Sequence, residues 1–372
     1  MGNRPFKKKL RKHDLETVLE TNNSNFSYLG NLPNEILRKI IDYLNIGDLL
    51  RCGQTCRRLR LAVCDNFLWK KVNLWNKSKV SVGLLRLILE RGCEYLNIRD
   101  PIDSHLILNE TNKLKCLNFA WRHEIRAVKK FCRNTDVLLT LLRSCTALEK
   151  LELYCVNFTP GHTFSIQGVK TLKILRLSYC KSGYKNNQPL ELDFIKQIID
   201  QCLELEELSF YKTRLSEDSI DYLVKNVTPK LSKLSLYTII RDAIVMDKYI
   251  QLLVSRCTNL TELSLSGSGF TNNSVNYINE NLQSTLEKLS LIRTSVSVTK
   301  LFELKAMKKL TLLSIVPQKN HIRTIQKDMR RFRRENPHMQ SICNSKPSWS
   351  AKPSWSGFLG SSDDFSTFRS YK

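Results

Sequence analysis

No Cys-x-x-Cys pair occurs in this sequence of 372 residues, and its six histidines, at 13, 105, 123, 162, 321 and 338, are scattered. A structural metal site built on the usual ligand spacing is therefore not expected. No apolar run approaches the roughly 18 residues that a membrane-crossing helix needs. The start, Met1-Gly2-Asn3-Arg4-Pro5 followed by Lys7-Lys8-Lys9, has no apolar stretch of the secretory kind. Its sixth residue is Phe, which breaks the myristoylation pattern. There is no Gly-rich phosphate loop, no nucleophile elbow and no paired-histidine helix, so no catalytic constellation and no cofactor is expected. An intracellular chain, cytoplasmic and/or nuclear, with free and mostly buried thiols is the reading of its twelve cysteines.

What is present in excess is positive charge. The formal net charge is +24, from 59 Lys and Arg against 35 Asp and Glu. Residues 300–346 carry twelve basic side chains and three acidic ones. Such a surplus favours acidic partners in a non-specific way and says little about fold. The runs Lys7-Lys8-Lys9-Leu10-Arg11-Lys12 and Arg330-Arg331-Phe332-Arg333-Arg334 contain little aromatic interleaving, which argues against base stacking. The first has the composition of a nuclear-import signal.

Leucine is also abundant, and it is periodic. Leu-x-x-Leu-x-Leu or a close variant recurs at Leu114-Leu117-Phe119, Leu148-Leu151-Leu153, Leu172-Leu175-Leu177 and Leu205-Leu208-Phe210. It continues at Leu231-Leu234-Leu236, Leu260-Leu263-Leu265, Leu286-Leu289-Leu291 and Leu310-Leu313-Ile315, with weaker starts at Val72-Leu74 and Leu96-Ile98. From 208 onward the middle leucines step by 26, 29, 26 and 24 residues. The Leu-x-Leu part alternates with period two, as a strand does. Apolar residues then recur at three and four, as in Ile220-Leu223-Val224, and define helices. A strand–helix unit cannot bury its leucines alone, so the units must stack on a common core. The pattern resembles the cysteine-containing class of leucine-rich repeats, with Cys145, Cys202 and Cys257 each three residues before a leucine motif. The turn position after each strand (Val156, Cys180, Thr213, Ile239, Ser268, Thr294) is looser than that class shows.

Residues 27–75 follow another rule. Pro33 suits a helix start, and Ile36, Leu37, Ile40, Ile41 and Leu44 recur at helical spacing. Asp48 is expected to cap the next helix. Leu-Pro-x-Glu-Ile-Leu, then Ile-x-x-Tyr-Leu, Asp-Leu-Leu, Cys-Arg and a closing Leu-Trp resemble the F-box. An F-box followed by leucine-rich repeats is the order of the F-box/leucine-rich-repeat family. That resemblance implies three helices docking on the Skp adaptor of an SCF ubiquitin ligase and, through it, on cullin and RING subunits. The adaptor-facing residues it implies are Leu32, Pro33, Ile36, Leu37, Ile40, Leu44, Leu49, Cys56, Arg57 and Trp69. It implies a non-catalytic receptor for a protein substrate that the sequence does not name. A scaffold without a ligase role and a nucleic-acid-associated protein are the alternatives.

The expected organisation is a basic tail (1–26), the F-box (27–75), an α/β repeat solenoid with concave parallel strands and convex helices (76–318), a basic helical cap (319–343) and a disordered tail (344–372). The tail repeats Lys-Pro-Ser-Trp-Ser at 346–350 and 352–356. Within each strand, the residues flanking the leucines should line the concave face. Tyr154, Arg176, Tyr211 and Tyr237 fall together there and are the candidate substrate-binding residues, being types that interfaces favour. A neighbouring column, Lys150, Ile174, Glu207, Lys233, Glu262 and Lys288, alternates in sign from Glu207 and should compensate itself.

Overall fold

The computed structural model describes residues 32–75, 80–99, 113–121, 135–158, 170–182, 188–237, 242–316, 322–337, 340–343 and 369–370. The expected amino-terminal basic tail, and the expected tail from 344 apart from 369–370, lie outside them. The chain divides into two compact units between Leu68 and Trp69.

The first unit has three short helices: α1 (Asn34–Asp42), α2 (Ile46–Thr55) and α3 (Arg57–Val63). Leu37, Ile41, Ile46, Leu49 and Val63 are buried and form its core. Asn45, not Asp48, is the cap of α2. Its Oδ1 accepts from the Asp48 amide at 3.0 Å, while its Nδ2 donates to the Asp48 carboxylate at 2.6 Å. Asp48 is thus the acidic partner one turn in, where it also meets the positive end of the helix dipole. Arg58 donates to the Leu32 carbonyl and ties α3 to the entry of α1. Arg60 Nε donates to the Gly53 carbonyl at 3.1 Å, tying α3 to α2.

The second unit is one parallel sheet of twelve strands, with helices in the connections. In chain order the strands are β1 (Lys71–Leu74), β2 (Tyr95–Arg99), β3 (Cys116–Ala120), β4 (Lys150–Tyr154), the two-residue β5 (Asn157–Phe158), β6 (Ile174–Ser178), the two-residue β7 (Lys181–Ser182) and β8 (Glu207–Tyr211). They continue with β9 (Lys233–Tyr237), β10 (Glu262–Ser266), β11 (Lys288–Ile292), β12 (Leu312–Val316), β13 (Gln340–Cys343) and β14 (Arg369–Ser370). β5 and β7 pair separately, and β14 pairs with the outer edge of β1. The remaining strands run in sequence order from β1 to β13. The first strand thus lies inside the segment read as F-box from sequence, because Val72 and Leu74 face the core and pair with Leu96 and Ile98.

Register follows the leucines. Leu175, Leu208, Leu234, Leu263, Leu289 and Leu313 lie side by side on successive strands, each at most 3% exposed. Strand leucines and the apolar face of the following helix are both buried, for example Leu208 and Phe210 of β8 with Ile220, Leu223 and Val224 of Glu217–Asn226. Leucines of this kind contribute roughly 1.5–3 kcal/mol each on full burial. Cys202 and Cys257 stand at helix ends and are buried. Burial pushes both thiols up, to about 12 and about 11 respectively.

After β4, β6, β8, β10 and β11 the next residue has a positive φ. Cys155, Tyr179, Lys212 and Arg293 have φ of 50–57°, and Gly267 takes the same place after β10. Four of them extend the ladder: Cys155, Tyr179, Gly267 and Arg293 donate to the last carbonyl of the next strand of the sheet. At the loose turn position, the Thr213 hydroxyl donates to the Leu177 carbonyl and accepts from the Cys180 amide. A side chain here does what a turn-specific residue would otherwise do. The basic cap is helical over Ile322–Glu335 and is followed by β13.

Candidate functional site

Two surfaces stand out, one in each unit. On the helical unit, α1 carries apolar side chains on two faces. Leu37 and Ile41, four apart, point inward. Ile36, Ile40 and Tyr43, at i, i+4 and i+7, form an outward stripe with exposures of 41%, 42% and 91%. Leu61 and Phe67 are exposed as well, at 66% and 67%. Five of the eight exposed large hydrophobic side chains among the described residues thus fall between 36 and 67. Of the other residues expected to face the adaptor, Pro33, Cys56 and Arg57 are exposed, and Leu32 and Leu44 are half-buried. Leu37, Leu49 and Trp69 are buried and pack inside the chain instead of presenting a surface. Tyr43, Leu61 and Phe67 were not among the expected residues. The signal for Tyr43 was its place seven residues after Ile36.

On the repeat unit, the sheet face turned away from the core carries three columns in strict register. The first holds Lys150, Ile174, Glu207, Lys233, Glu262 and Lys288, and the second Glu152, Arg176, Ser209, Ser235, Ser264, Ser290 and Ser314. The third holds Tyr154, Ser178 and Tyr211, then Tyr237, Ser266 and Ile292. The charges pair across strands. Arg176 reaches Glu152 through Nη1 at 2.6 Å and Glu207 through Nε and Nη2 at 2.5 and 2.9 Å. Lys150 joins Glu152 at 3.3 Å. Burial opposes the charge on Arg176, but Glu207 and Glu152 outweigh it and hold the guanidinium firmly protonated. Arg176, expected to recognise a target, is therefore committed to two carboxylates.

The tyrosines do come together, with one addition. Tyr179, which follows β6, stacks edge-on against Tyr154 at 5.2 Å and against Tyr211 at 5.7 Å. Lys212 lies over the Tyr179 ring at 4.9 Å and the Tyr211 ring at 5.4 Å, and donates to the Tyr179 hydroxyl at 2.9 Å. Tyr237 occupies the same column two strands on from Ser178 and is half-buried. Tyr179 and Lys212 lie just beyond the strand repeat, where the alternating pattern no longer indicates direction.

Beside this cluster is an open cavity of about 530 Å³, floored by Ser209, Ser235, Ser264, Ser290 and Ser314 and flanked by Tyr211, Lys233, Glu262, Lys288 and Ile292. Glu262 Oε1 accepts from both Lys233 and Lys288 at 2.9 Å. Burial pushes the Glu262 carboxyl up, but the two lysines outweigh it and its net shift is downward. Among the described residues, no group of three or more His, Cys, Asp and Glu side chains is placed to hold a metal ion, and no helix is long and apolar enough to cross a membrane.

Residues 29–75 match the family model described as F-box-like. The chain is similar to F-box/LRR-repeat protein 4 of Bos taurus, 25% identical over 274 residues, which cover 69% of this chain and 40% of that protein. The match thus spans less than half of the relative's length. A solved structure of a Bacteroides fragilis protein aligns at 15% identity over 62% of this chain and 65% of that one, with a TM-score of 0.35, a likeness too distant to bear on the fold. The amino-terminal unit thus carries an F-box-like domain, and the second unit has the stacked parallel strands and connecting helices of a leucine-rich-repeat architecture.

Proposed function

We propose that the chain is the substrate-receptor subunit of an SCF-type ubiquitin ligase. Its F-box-like unit docks on a Skp-family adaptor and, through it, on cullin and RING subunits. The open face of the repeats holds a target protein for ubiquitination, and the chain itself makes and breaks no bonds. The observation that carries this reading is the coincidence of the F-box-like match at 29–75 with the outward stripe Ile36, Ile40 and Tyr43. An amphipathic helix that keeps a second apolar stripe in water is suited to a hydrophobic groove on a partner. Pro33, Cys56 and Arg57 belong to the adaptor face, with Leu32 and Leu44 at its margin. Leu37 and Leu49 support it from behind. Tyr154, Tyr211 and Tyr237 supply the target face, with Tyr179 packed against the first two and Arg176 paired to Glu152 and Glu207.

The test is to compare proteins captured from cells by the full chain and by the Leu32→Ala, Pro33→Ala double variant, and to follow the half-lives of the captured proteins. A receptor should hold its targets in both forms, while only the unaltered chain shortens their half-lives. Half-lives that are the same with either form would leave a scaffold without a ligase role.

A further inference from the structure

The two ends of the charged ladder differ in balance. At the first end, two cations, Lys150 and Arg176, meet two carboxylates, Glu152 and Glu207. All four side chains are at most 18% exposed. Charge there is matched and closed off. At the second end, Lys233 and Lys288 share the single carboxylate of Glu262. The lysine side chains remain 42% and 45% exposed, and Glu262 is 22% exposed. Two ammonium groups 2.9 Å from one oxygen are at most about 6 Å apart, so they repel each other while dividing one negative charge. Each ammonium has three donors and spends one of them on Glu262.

A second observation comes from the floor of the same cavity. Ser290 is 5% exposed, and its hydroxyl has no hydrogen-bond partner among the described residues. Buried hydroxyls are normally satisfied. A cavity with a surplus positive charge, spare ammonium donors and an unmet hydroxyl on its floor has the chemistry of an oxyanion site.

Resting on the receptor reading, we infer that the Lys233–Glu262–Lys288 cluster binds an anionic oxygen group of the target protein. That group is a phosphorylated residue or an acidic side chain, seated over the serine floor between Tyr211 and Ile292. The anion lies between the two ammonium groups and cancels the excess charge that Glu262 leaves. Glu262 sets the strength of the site by competing for the same donors.

The probes are inorganic phosphate and acetate, titrated into the full chain with ¹³C-labelled lysine side chains and followed by NMR at Lys233 and Lys288. Saturable shifts at these two lysines are expected. Lys233→Gln and Lys288→Gln should each weaken binding about tenfold, the size of one lost charge-assisted contact. The Lys233→Arg, Lys288→Arg double variant should keep it. Glu262→Gln should tighten binding, because it frees both ammonium groups. A purely structural ion pair would not produce that opposite sign. Preference for phosphate over acetate assigns a phosphorylated residue, and equal binding assigns an acidic side chain. Absence of a saturable shift at these lysines, or weaker binding in Glu262→Gln with an unchanged melting temperature, overturns the inference. Adaptor binding is measured on the same preparations. Anion binding lost with adaptor binding intact removes this site alone, whereas a chain that never binds adaptor removes the receptor reading instead.

Discussion

The helical unit and the repeat unit treat apolar side chains in opposite ways. In the repeats, leucines of the motif are almost wholly buried, and the open sheet face carries serines, ion pairs and tyrosines. In the helical unit, Ile36, Ile40, Tyr43, Leu61 and Phe67 remain in water although the unit has a buried core of its own. A stacked array is closed by its neighbouring units, each completing the next. The three-helix unit keeps apolar side chains exposed that its own core does not use. The lesson is that, among the described residues, exposed large apolar side chains concentrate in the unit with the smaller core.

The sharpest way to break this comparison is to truncate apolar residues in both units. Leu234→Ala or Leu263→Ala should lower the stability of the array by about 2–5 kcal/mol in denaturant unfolding, through lost transfer energy and a cavity. Ile36→Ala and Tyr43→Ala, like Ser235→Ala, should stay within about 0.5 kcal/mol. Equal losses at Leu234 and Ser235 would mean that the strand register is wrong.

Next in size is Arg176→Met, which removes the cation that Glu152 and Glu207 share and leaves Glu152 with Lys150. A loss of roughly 3 kcal/mol is expected, somewhat reduced by the residual solvent access of the three groups. A melting temperature equal to that of the unaltered chain would show that the network is ornamental. Tyr211→Ala should weaken target binding by about 2 kcal/mol, as loss of a central anchor does, with no change in adaptor affinity. Unchanged target affinity would remove the tyrosine cluster from the recognition face.

The smallest effect concerns pH. Because the folded chain holds the Glu262 carboxyl below its ordinary value, Glu262 adds stability above the unfolded carboxylate range. That increment is lost as pH falls through the lower, folded value. For a pair open to solvent it should be below about 1 kcal/mol. Glu262→Gln should therefore flatten the acid limb of the stability curve, and an unchanged limb would count against the pairing.

The repeat architecture was legible because alternation within a strand and near-constant spacing between strands jointly fix which side chains share a row. The rows read from Leu151 to Leu313 are the rows observed. The role of Arg176 was not legible. It lies beside Glu152, its column neighbour on the preceding strand, and diagonal to Glu207 on the following one, and a column read alone does not show that second partner. Tyr179 and Lys212 escaped because left-handed backbone at non-glycine residues has no marker in a single sequence. In α1 and just past its end, five apolar residues at helical spacing cover two faces, and periodicity cannot say which face turns inward. The structure divides them: Leu37 and Ile41 inside, Ile36 and Ile40 outside, Leu44 between.

The central claim is that the outward stripe of α1 is an adaptor-docking surface. Calorimetric titration of a Skp-family adaptor into the full chain and into the Ile36→Glu, Ile40→Glu double variant tests it directly. The account predicts specific binding to the unaltered chain and at least about a hundredfold loss in the variant, since buried charges at an apolar hot spot cost several kcal/mol. The melting temperature of the repeat unit should not move. Adaptor binding that survives the two glutamates, or that the unaltered chain never shows, would contradict it.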